Sequence, residues 1–270
     1  MSSLLYEPLQ LGIIGVGHLG RALLEGVIGY TPHRVKCSNP THINFTKPSL
    51  SRVKVIQDNR ELSEQVEVLL LAVRPQDMDA VLEDIKDFRG LVISFAAGLP
   101  LSYYTPRVRE ATVVRAMTNL AVAYGQSMTA WVCEEGSCEE KLWIAKALFS
   151  DLGNVIQVTP KDEHHLDVIT SLSGSGIAYL AQVFETMKGV GIKHGLSPKD
   201  AEIIVLETVA GVLALYQHTD LTLEEIVSSV ASKGGTTEAG LKTMHRKGLE
   251  RALKEGLEDT ISKCEDLSKR

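Results

Sequence analysis

The residues of this chain best suited to chemistry lie in its C-terminal third, in the run Ser232-Lys233-Gly234-Gly235-Thr236-Thr237. Two adjacent glycines let the backbone approach a ligand closely, and the amides of the helical pattern that opens behind them turn a positive dipole toward it. The hydroxyls of Ser232, Thr236 and Thr237 can donate or accept hydrogen bonds beside those amides. Such a set makes a compact anion-binding site. Taken alone, the run also reads as a glycine turn capped by threonine.

A second constellation lies near the start. Gly15-Val16-Gly17-His18-Leu19-Gly20 is a complete G-x-G-x-x-G, set directly after the apolar strand pattern Leu11-Gly12-Ile13-Ile14 and at the opening of a helix. The first glycine permits a tight turn, the second admits a pyrophosphate against the backbone, and the third lets helix pack on strand. His18 and Leu19 fill the variable positions, and His18 is within reach of a phosphate. Sites specific for NAD usually end the second strand on an acid that holds the ribose 2′-hydroxyl. Here the chain reads Val35-Lys36-Cys37-Ser38-Asn39-Pro40-Thr41, with no acid, so NADPH is the expected cofactor and NADH the second choice. Ser38, Asn39 and Thr41 could hydrogen-bond to a 2′-phosphate, with Lys36 or Lys47 supplying charge.

These residues need elements to position them. Short apolar runs at 11–14, 34–37, 53–56, 68–73, 91–95, 112–115, 128–132 and 155–158 read as strands, alternating with helical patterns at 18–30, 76–87 and 138–151. That alternation predicts an α/β fold, a Rossmann-type dinucleotide-binding domain with a largely parallel sheet. After about residue 160 only helical periodicity remains, at 162–172, 178–194, 198–218, 223–232 and 237–267. Ser197-Pro198 is a helix start with proline in the first turn, and Thr222-Leu223-Glu224-Glu225 is a capping box. The expected domains are therefore 1–160, binding the nucleotide, and 161–270, all-α. Leu241, Met244, Leu253, Leu257, Ile261 and Cys264 form an apolar stripe on the last helix. A partner subunit is a common way to bury such stripes.

Composition excludes other classes. The net charge of −6 gives no reason to expect nucleic acid or an acidic membrane as partner. No apolar run is expected to reach the roughly 18 residues a membrane span needs, and no signal peptide is visible. Cys37, Cys133, Cys138 and Cys264 lack metal-ligand spacing, and free thiols in a reducing cytoplasm are the expectation. His164-His165 and the basic run 242–254 read as solvated surface, and Trp131 and Trp143 as core or interface.

Further segments carry a resemblance. Leu71-Ala72-Val73-Arg74-Pro75-Gln76, Ile93-Ser94-Phe95-Ala96-Ala97-Gly98, Arg115-Ala116-Met117-Thr118-Asn119 and Leu172-Ser173-Gly174-Ser175-Gly176 follow the nucleotide motif and precede the Ser-x-Gly-Gly-Thr-Thr run. In this order, over nearly the whole chain, they resemble the Δ1-pyrroline-5-carboxylate reductase family. The resemblance implies NADPH-dependent reduction of 1-pyrroline-5-carboxylate to L-proline, a helical dimerisation domain, and active sites where the two domains meet across subunits. It implies a homodimer or an assembly of dimers. It further implies that Ser38 and Asn39 lie near the 2′-phosphate and adenosine ribose, and that Asn59, Ala72, Val73, Arg74 and Pro75 line the cofactor. Met117 and Asn119 would lie near the nicotinamide, with Ser232, Gly234, Gly235 and Thr236 on the substrate carboxylate and Thr237 on the ring nitrogen. Lys233, Ile177 and the pair Leu120-Ala121 stand where the family has proline, proline and Thr-Pro. These departures keep two alternatives open, a reductase of another cyclic imine and a non-catalytic NADP-binding paralogue.

Overall fold

The computed structural model describes residues 7–41, 43, 45, 47–51 and 53–269. Contacts divide the chain into two compact units. One runs up to Ser175 and takes back the chain from Thr260 onward; the other spans Gly176–Asp259. The expected division at residue 160 thus differs from the observed one, because the segment after Pro160 packs on the sheet.

In the first unit, β1 (Gln10–Ile14) leads into α1 (His18–Tyr30), then β2 (Arg34–Ser38), β3 (Lys54–Ile56), α2 (Asn59–Ser63) and β4 (Val68–Leu71). A 3-10 turn at Pro75–Asp77 precedes α3 (Met78–Asp84), so the single helix expected over 76–87 is a turn plus a shorter helix. There follow β5 (Leu91–Ser94), α4 (Leu101–Tyr104), β6 (Thr112–Met117), β7 (Ser127–Cys133), α5 (Glu139–Leu152), β8 (Gly153–Gln157) and α6 (His165–Ile169). One turn of π-helix, Thr170–Gly174, closes the unit's main run.

The strands form one sheet in the order β3-β2-β1-β4-β5-β6-β7-β8. All neighbours are parallel except β6 and β7. β4 and β5, VLLL and LVIS, are buried at every position, as expected for central strands covered on both faces. Successive residues feed opposite layers. Leu11, Ile13, Leu70 and Ile93 pack with Leu23, Leu24 and Phe149 on one face. Ile14, Leu69, Leu71 and Val92 pack with Val81, Leu82 and Tyr104 on the other. Trp131 is core, whereas Trp143 is exposed.

The second unit is helical: α7 (Gly176–Lys193), α8 (Pro198–His218), α9 (Leu223–Val230), α10 (Thr236–Arg246) and the start of α11 (Leu249–Ser268). Both expected caps are present. Ser197 Oγ accepts from the Asp200 N–H at 3.1 Å, and Thr222 and Glu225 form the reciprocal box. The single helix expected over 237–267 is instead two, broken at Lys247-Gly248, where Gly248 takes the left-handed φ of +82° that stops a right-handed helix. Among the described residues α8 alone is long and apolar enough to cross a membrane by length and composition, with mean hydropathy 1.2. The expectation that no segment reaches this measure is corrected here: residues 201–218 carry only Glu202 and Glu207 as charges.

Candidate active site

The strand order reverses between β1 and β4, and the crevice beyond their carboxyl ends is where doubly wound sheets bind nucleotides. The motif glycines build its floor. Gly15 has φ +89°, and a Cβ there would stand 2.8 Å from the Ala72 carbonyl oxygen and 2.7 Å from Val73 Cγ1. Its N–H donates to the Ser38 carbonyl, tying the turn to β2. A Cβ on Gly20 would stand 2.0 Å from the Gly15 carbonyl oxygen, so Gly20 serves close packing of α1 and does not line the crevice. Gly17 differs from both: nothing lies within 4 Å of where its Cβ would be.

In front of Gly17 opens a cavity of about 640 Å³, lined by Gly15, His18 and Leu19, by Ser38, Asn39 and Asn59, and by Ala72, Val73 and Arg74. α1 begins at its edge with no side-chain cap and no acid in its first turn. Its first amides therefore face the cavity with the positive end of the helix dipole. Size, uncapped amides and open backbone together fit a dinucleotide pyrophosphate. Pro75 is not on the wall; it opens the turn behind Arg74. Gln57, Asp77, Ala80, Val81 and Thr41 also line the cavity. Of these only Thr41 carries a signal in sequence, since the others come from elements whose faces periodicity did not resolve.

The corner of the cavity at Ser38, Asn39 and Asn59 is hydrogen-bonded throughout. Ser38, 2% exposed, donates from Oγ to Asn59 Oδ1 at 2.7 Å, and Asn59 Nδ2 donates to Asp84 Oδ2 at 2.9 Å. Asn39 Oδ1 accepts from the Val16 N–H at 2.9 Å, and its Nδ2 donates to Thr41 Oγ1 at 2.8 Å. The two lysines expected to supply charge are engaged elsewhere. Lys36 donates to Gln65 and Lys47 pairs with Glu25, and neither lines the cavity. The cationic side chain on the wall is Arg74, whose Nε pairs with Asp77 at 3.2 Å.

Met117 and Asn119 lie outside that cavity, in a cluster of their own at the end of β6. Asn119 Nδ2 donates to Ser173 Oγ at 2.9 Å, and Gly174 lies against Met117, its Cβ position 3.8 Å from the sulfur. Asn119 Oδ1 accepts from the Ala121 N–H at 3.0 Å, a bond that a proline at 121 could not donate. Behind the cluster, buried Arg115 reaches Asp167 Oδ1 at 2.6 Å and Glu163 Oε1 at 3.1 Å. Glu163 also accepts from the Leu101 N–H. Arg115 thereby pins the α6 segment to β6, which sets Ser173 beside Asn119. Ser173 and Arg115 both stand in motifs visible in the sequence, but their contacts with Asn119 and Asp167 span 54 and 52 residues and leave no local signal.

The second unit, taken by itself, holds the loop before α10. Gly235 is the N-cap of α10 and has no side-chain cap bond, so its end amides are open to a ligand. Gly234 has φ +76°, a conformation that favours glycine. The Gly235 N–H closes the turn on the Ser232 carbonyl. Glu238 takes the Gly234 N–H at 2.8 Å and pairs with Lys242, and these bonds, that to Lys242 first, hold its carboxyl below the ordinary range. Ser232, Lys233 and Thr236 are exposed, Thr237 half-buried.

Nucleophilic thiol chemistry has no support. Burial pushes the Cys37 thiol up to about 11 and raises Cys133 and Cys264, and all four cysteines are free. No cluster of His, Cys, Asp and Glu suited to a metal exists among the described residues. His164 and His165 are exposed, as expected, their rings 4.4 Å apart.

Comparisons with known proteins fall on both units. Residues 163–267 match the family model described as pyrroline-5-carboxylate reductase dimerisation, and residues 10–98 match that of NADP oxidoreductase, coenzyme F420-dependent. The chain is 34% identical to the pyrroline-5-carboxylate reductase of Synechocystis sp., over 97% of this chain and 99% of that protein. It is 31% identical to that of Methanosarcina acetivorans, over 98% and 100%. Among solved structures, the Streptococcus pyogenes 1-pyrroline-5-carboxylate reductase aligns with TM-score 0.85 and 26% identity, covering 96% of this chain and 99% of that one. The Plasmodium falciparum pyrroline carboxylate reductase with NADP bound shares the fold at TM-score 0.89 and 23% identity, over 96% and 98%.

Proposed function

This chain belongs to the pyrroline-5-carboxylate reductase family, and on that premise we infer that it reduces 1-pyrroline-5-carboxylate to L-proline with NADPH, in proline biosynthesis. The observation that carries the reading is one chain holding both an open dinucleotide crevice at Gly17 and an uncapped glycine–threonine helix start at Gly235. NADPH, when bound, supplies the hydride for the imine carbon. Gly15, Gly17 and the first amides of α1 hold its pyrophosphate. Ser38, Asn39 and Asn59 hold the adenosine ribose, and Ala72, Val73 and Arg74 follow the chain of the cofactor, with Pro75 fixing the turn behind Arg74. Met117 and Asn119 support the nicotinamide.

On the substrate side, the loop of Ser232, Gly234, Gly235 and Thr236 takes the carboxylate through the Ser232 and Thr236 hydroxyls and the open amides of the first turn of α10, the Gly234 and Gly235 N–H groups being held by Glu238 and the Ser232 carbonyl. The Thr237 hydroxyl hydrogen-bonds to the ring nitrogen and holds it while the carbon takes the hydride, the carbon–nitrogen double bond becomes single, and the nitrogen, with one proton drawn from solvent, ends as an amine. Positioning of this kind is a large part of the catalysis, since reacting atoms must be held within about 3–3.5 Å. The apolar faces of α7 and α8 make a homodimer the working assembly, alone or in a larger assembly of dimers. Four free thiols suit a reducing cytoplasm.

A second reading, a reductase of a different cyclic imino acid, is favoured by exposed Lys233 beside the glycine pair and by the Ala121 bond to Asn119. One assay separates the readings. NADPH consumption is followed with pyrroline-5-carboxylate and with larger cyclic imines, for wild type and Thr237→Ala. Fast turnover of pyrroline-5-carboxylate that drops about tenfold or more in the variant, equivalent to about 1.4 kcal/mol of transition-state stabilisation, supports the first reading. Tight NADPH binding with no turnover of that imine overturns it.

A further inference from the structure

The Ser38–Asn59–Asp84 chain has a fixed hydrogen-bond polarity. An ionised carboxylate only accepts, so Asn59 must turn its NH₂ toward Asp84, where Nδ2 lies 2.9 Å from Oδ2. That leaves Asn59 Oδ1 facing Ser38 at 2.7 Å, and Ser38 must then spend its only proton on Asn59. The Ser38 oxygen can offer the cavity lone pairs alone. A ribose 2′-hydroxyl, which can donate, suits such a site, whereas a 2′-phosphate brings only acceptors at neutral pH.

The other donors on this wall lie beside Ser38 and do not alter its polarity. Asn39 Nδ2 is used on the Thr41 carbonyl and hydroxyl oxygens, at 3.0 and 2.8 Å. Arg74 shares its Nε with Asp77 and keeps its terminal N–H groups for an anion, so the Ser38 polarity tempers the preference for a phosphate and does not abolish it. Asp84 itself lines no part of the cavity, although Asn59 and Ser38 do. We propose that Asp84 is a specificity-determining positioning residue: through Asn59 it aims the Ser38 proton away from the bound cofactor, which restrains the preference for NADPH and keeps NADH usable. The proposal rests on the assignment of Ser38 and Asn59 to the adenosine ribose.

Replacing Asp84 with asparagine releases the polarity. The new side chain can donate, so the Asn59 amide can reverse, Ser38 can accept from Asn59 Nδ2, and the Ser38 proton becomes available to a phosphate. Dissociation constants for NADPH and NADH, measured by fluorescence titration without imine, read this directly. In Asp84→Asn the ratio of the two constants is expected to shift toward NADPH by about tenfold, or about 1.4 kcal/mol. Asp84→Ala, which leaves Asn59 unguided, is expected to shift it the same way by less. In a Ser38→Ala background the Asp84→Asn shift should vanish.

Equal weakening of both cofactors by either Asp84 variant overturns the proposal and leaves Asp84 as a structural anchor of α3. A shift that persists in Ser38→Ala also overturns it, since the effect would then be long-range charge. Wild type binding neither cofactor overturns the underlying site assignment instead, so the two failures are distinguishable.

Discussion

β5 and α8 set the two regions of this molecule against each other. Every residue of β5 is buried, while α8, more than four times as long, buries only Ala201 and Val205 and exposes Ile204, Leu206, Leu213 and Tyr216. The first unit is finished within one chain: two core layers, a covered sheet and a formed crevice. The second has helix starts of good quality and little core. An exposed apolar face of this extent marks an association surface, and the family model matched over 163–267 is one of dimerisation. Cofactor binding is thus a property of a self-sufficient fold, and the loop proposed to hold the substrate is carried by helices that leave their apolar faces to an association surface.

The sharpest way to break this contrast uses two residues of equal exposure. Leu213 in α8 is 55% exposed and Ile156 in β8 51%. Leu213→Asp should abolish self-association, because an uncompensated buried charge costs about 3–5 kcal/mol, with a sedimentation shift to monomer and loss of most turnover. Ile156→Asp should leave mass and activity unchanged. If Leu213→Asp also stays associated, the surface of α8 is not the interface.

A smaller effect, within the first unit, divides the glycines. Gly20→Ala forces a Cβ against the Gly15 carbonyl and should lower Tm by roughly 5 °C or more, from a clash of 1–3 kcal/mol. Gly17→Ala meets nothing in the chain, so Tm should hold while the NADPH dissociation constant rises about tenfold. Equal effects of both changes on Tm would show that the space before Gly17 is not a ligand's.

The smallest expected effect is a pH dependence. His33 is 7% exposed, burial being the main cause that lowers its pKa, and its Nδ1 accepts from the Leu9 N–H at 3.2 Å, which requires the neutral ring. A lowered folded value means the unfolded chain binds the proton more readily. Stability is therefore full above the ordinary pKa of about 6.5 and declines as pH falls below it. Tm should drop by about 2–4 °C more between pH 7.5 and 5.5 in wild type than in His33→Gln. Identical profiles would remove His33 from the balance.

How legible all this is from sequence follows the range of the interactions. Gly15, Gly17 and Gly20 are readable because a turn's geometry is local, and so are the Ser197 and Thr222 caps. The eight strands are readable from apolar runs, though β2 and β6 run on to Ser38 and Met117, beyond the expected ends. The break at Gly248 is hidden because the apolar stripe keeps its period across it. α2 and α4 are too short for periodicity to register. Charges mislead most: Lys36 and Lys47 look free to meet a phosphate, yet their partners Gln65 and Glu25 lie 29 and 22 residues away. Ser38, Asn59 and Asp84 form one chain across separations of 21 and 25 residues, which no local pattern announces.

Gly98 carries a consequence for how the chain is made. With φ +76°, it forms a seat whose missing Cβ would lie 2.5 Å from Leu267 Cβ and 2.6 Å from the Cys264 carbonyl oxygen, all within the first unit. That seat stays vacant on the ribosome until the whole second unit has been synthesised, a delay of about 10–30 s at 5–20 residues per second. The nucleotide-binding unit is discontinuous in time as well as in sequence, and a nascent chain released early leaves with that seat unfilled.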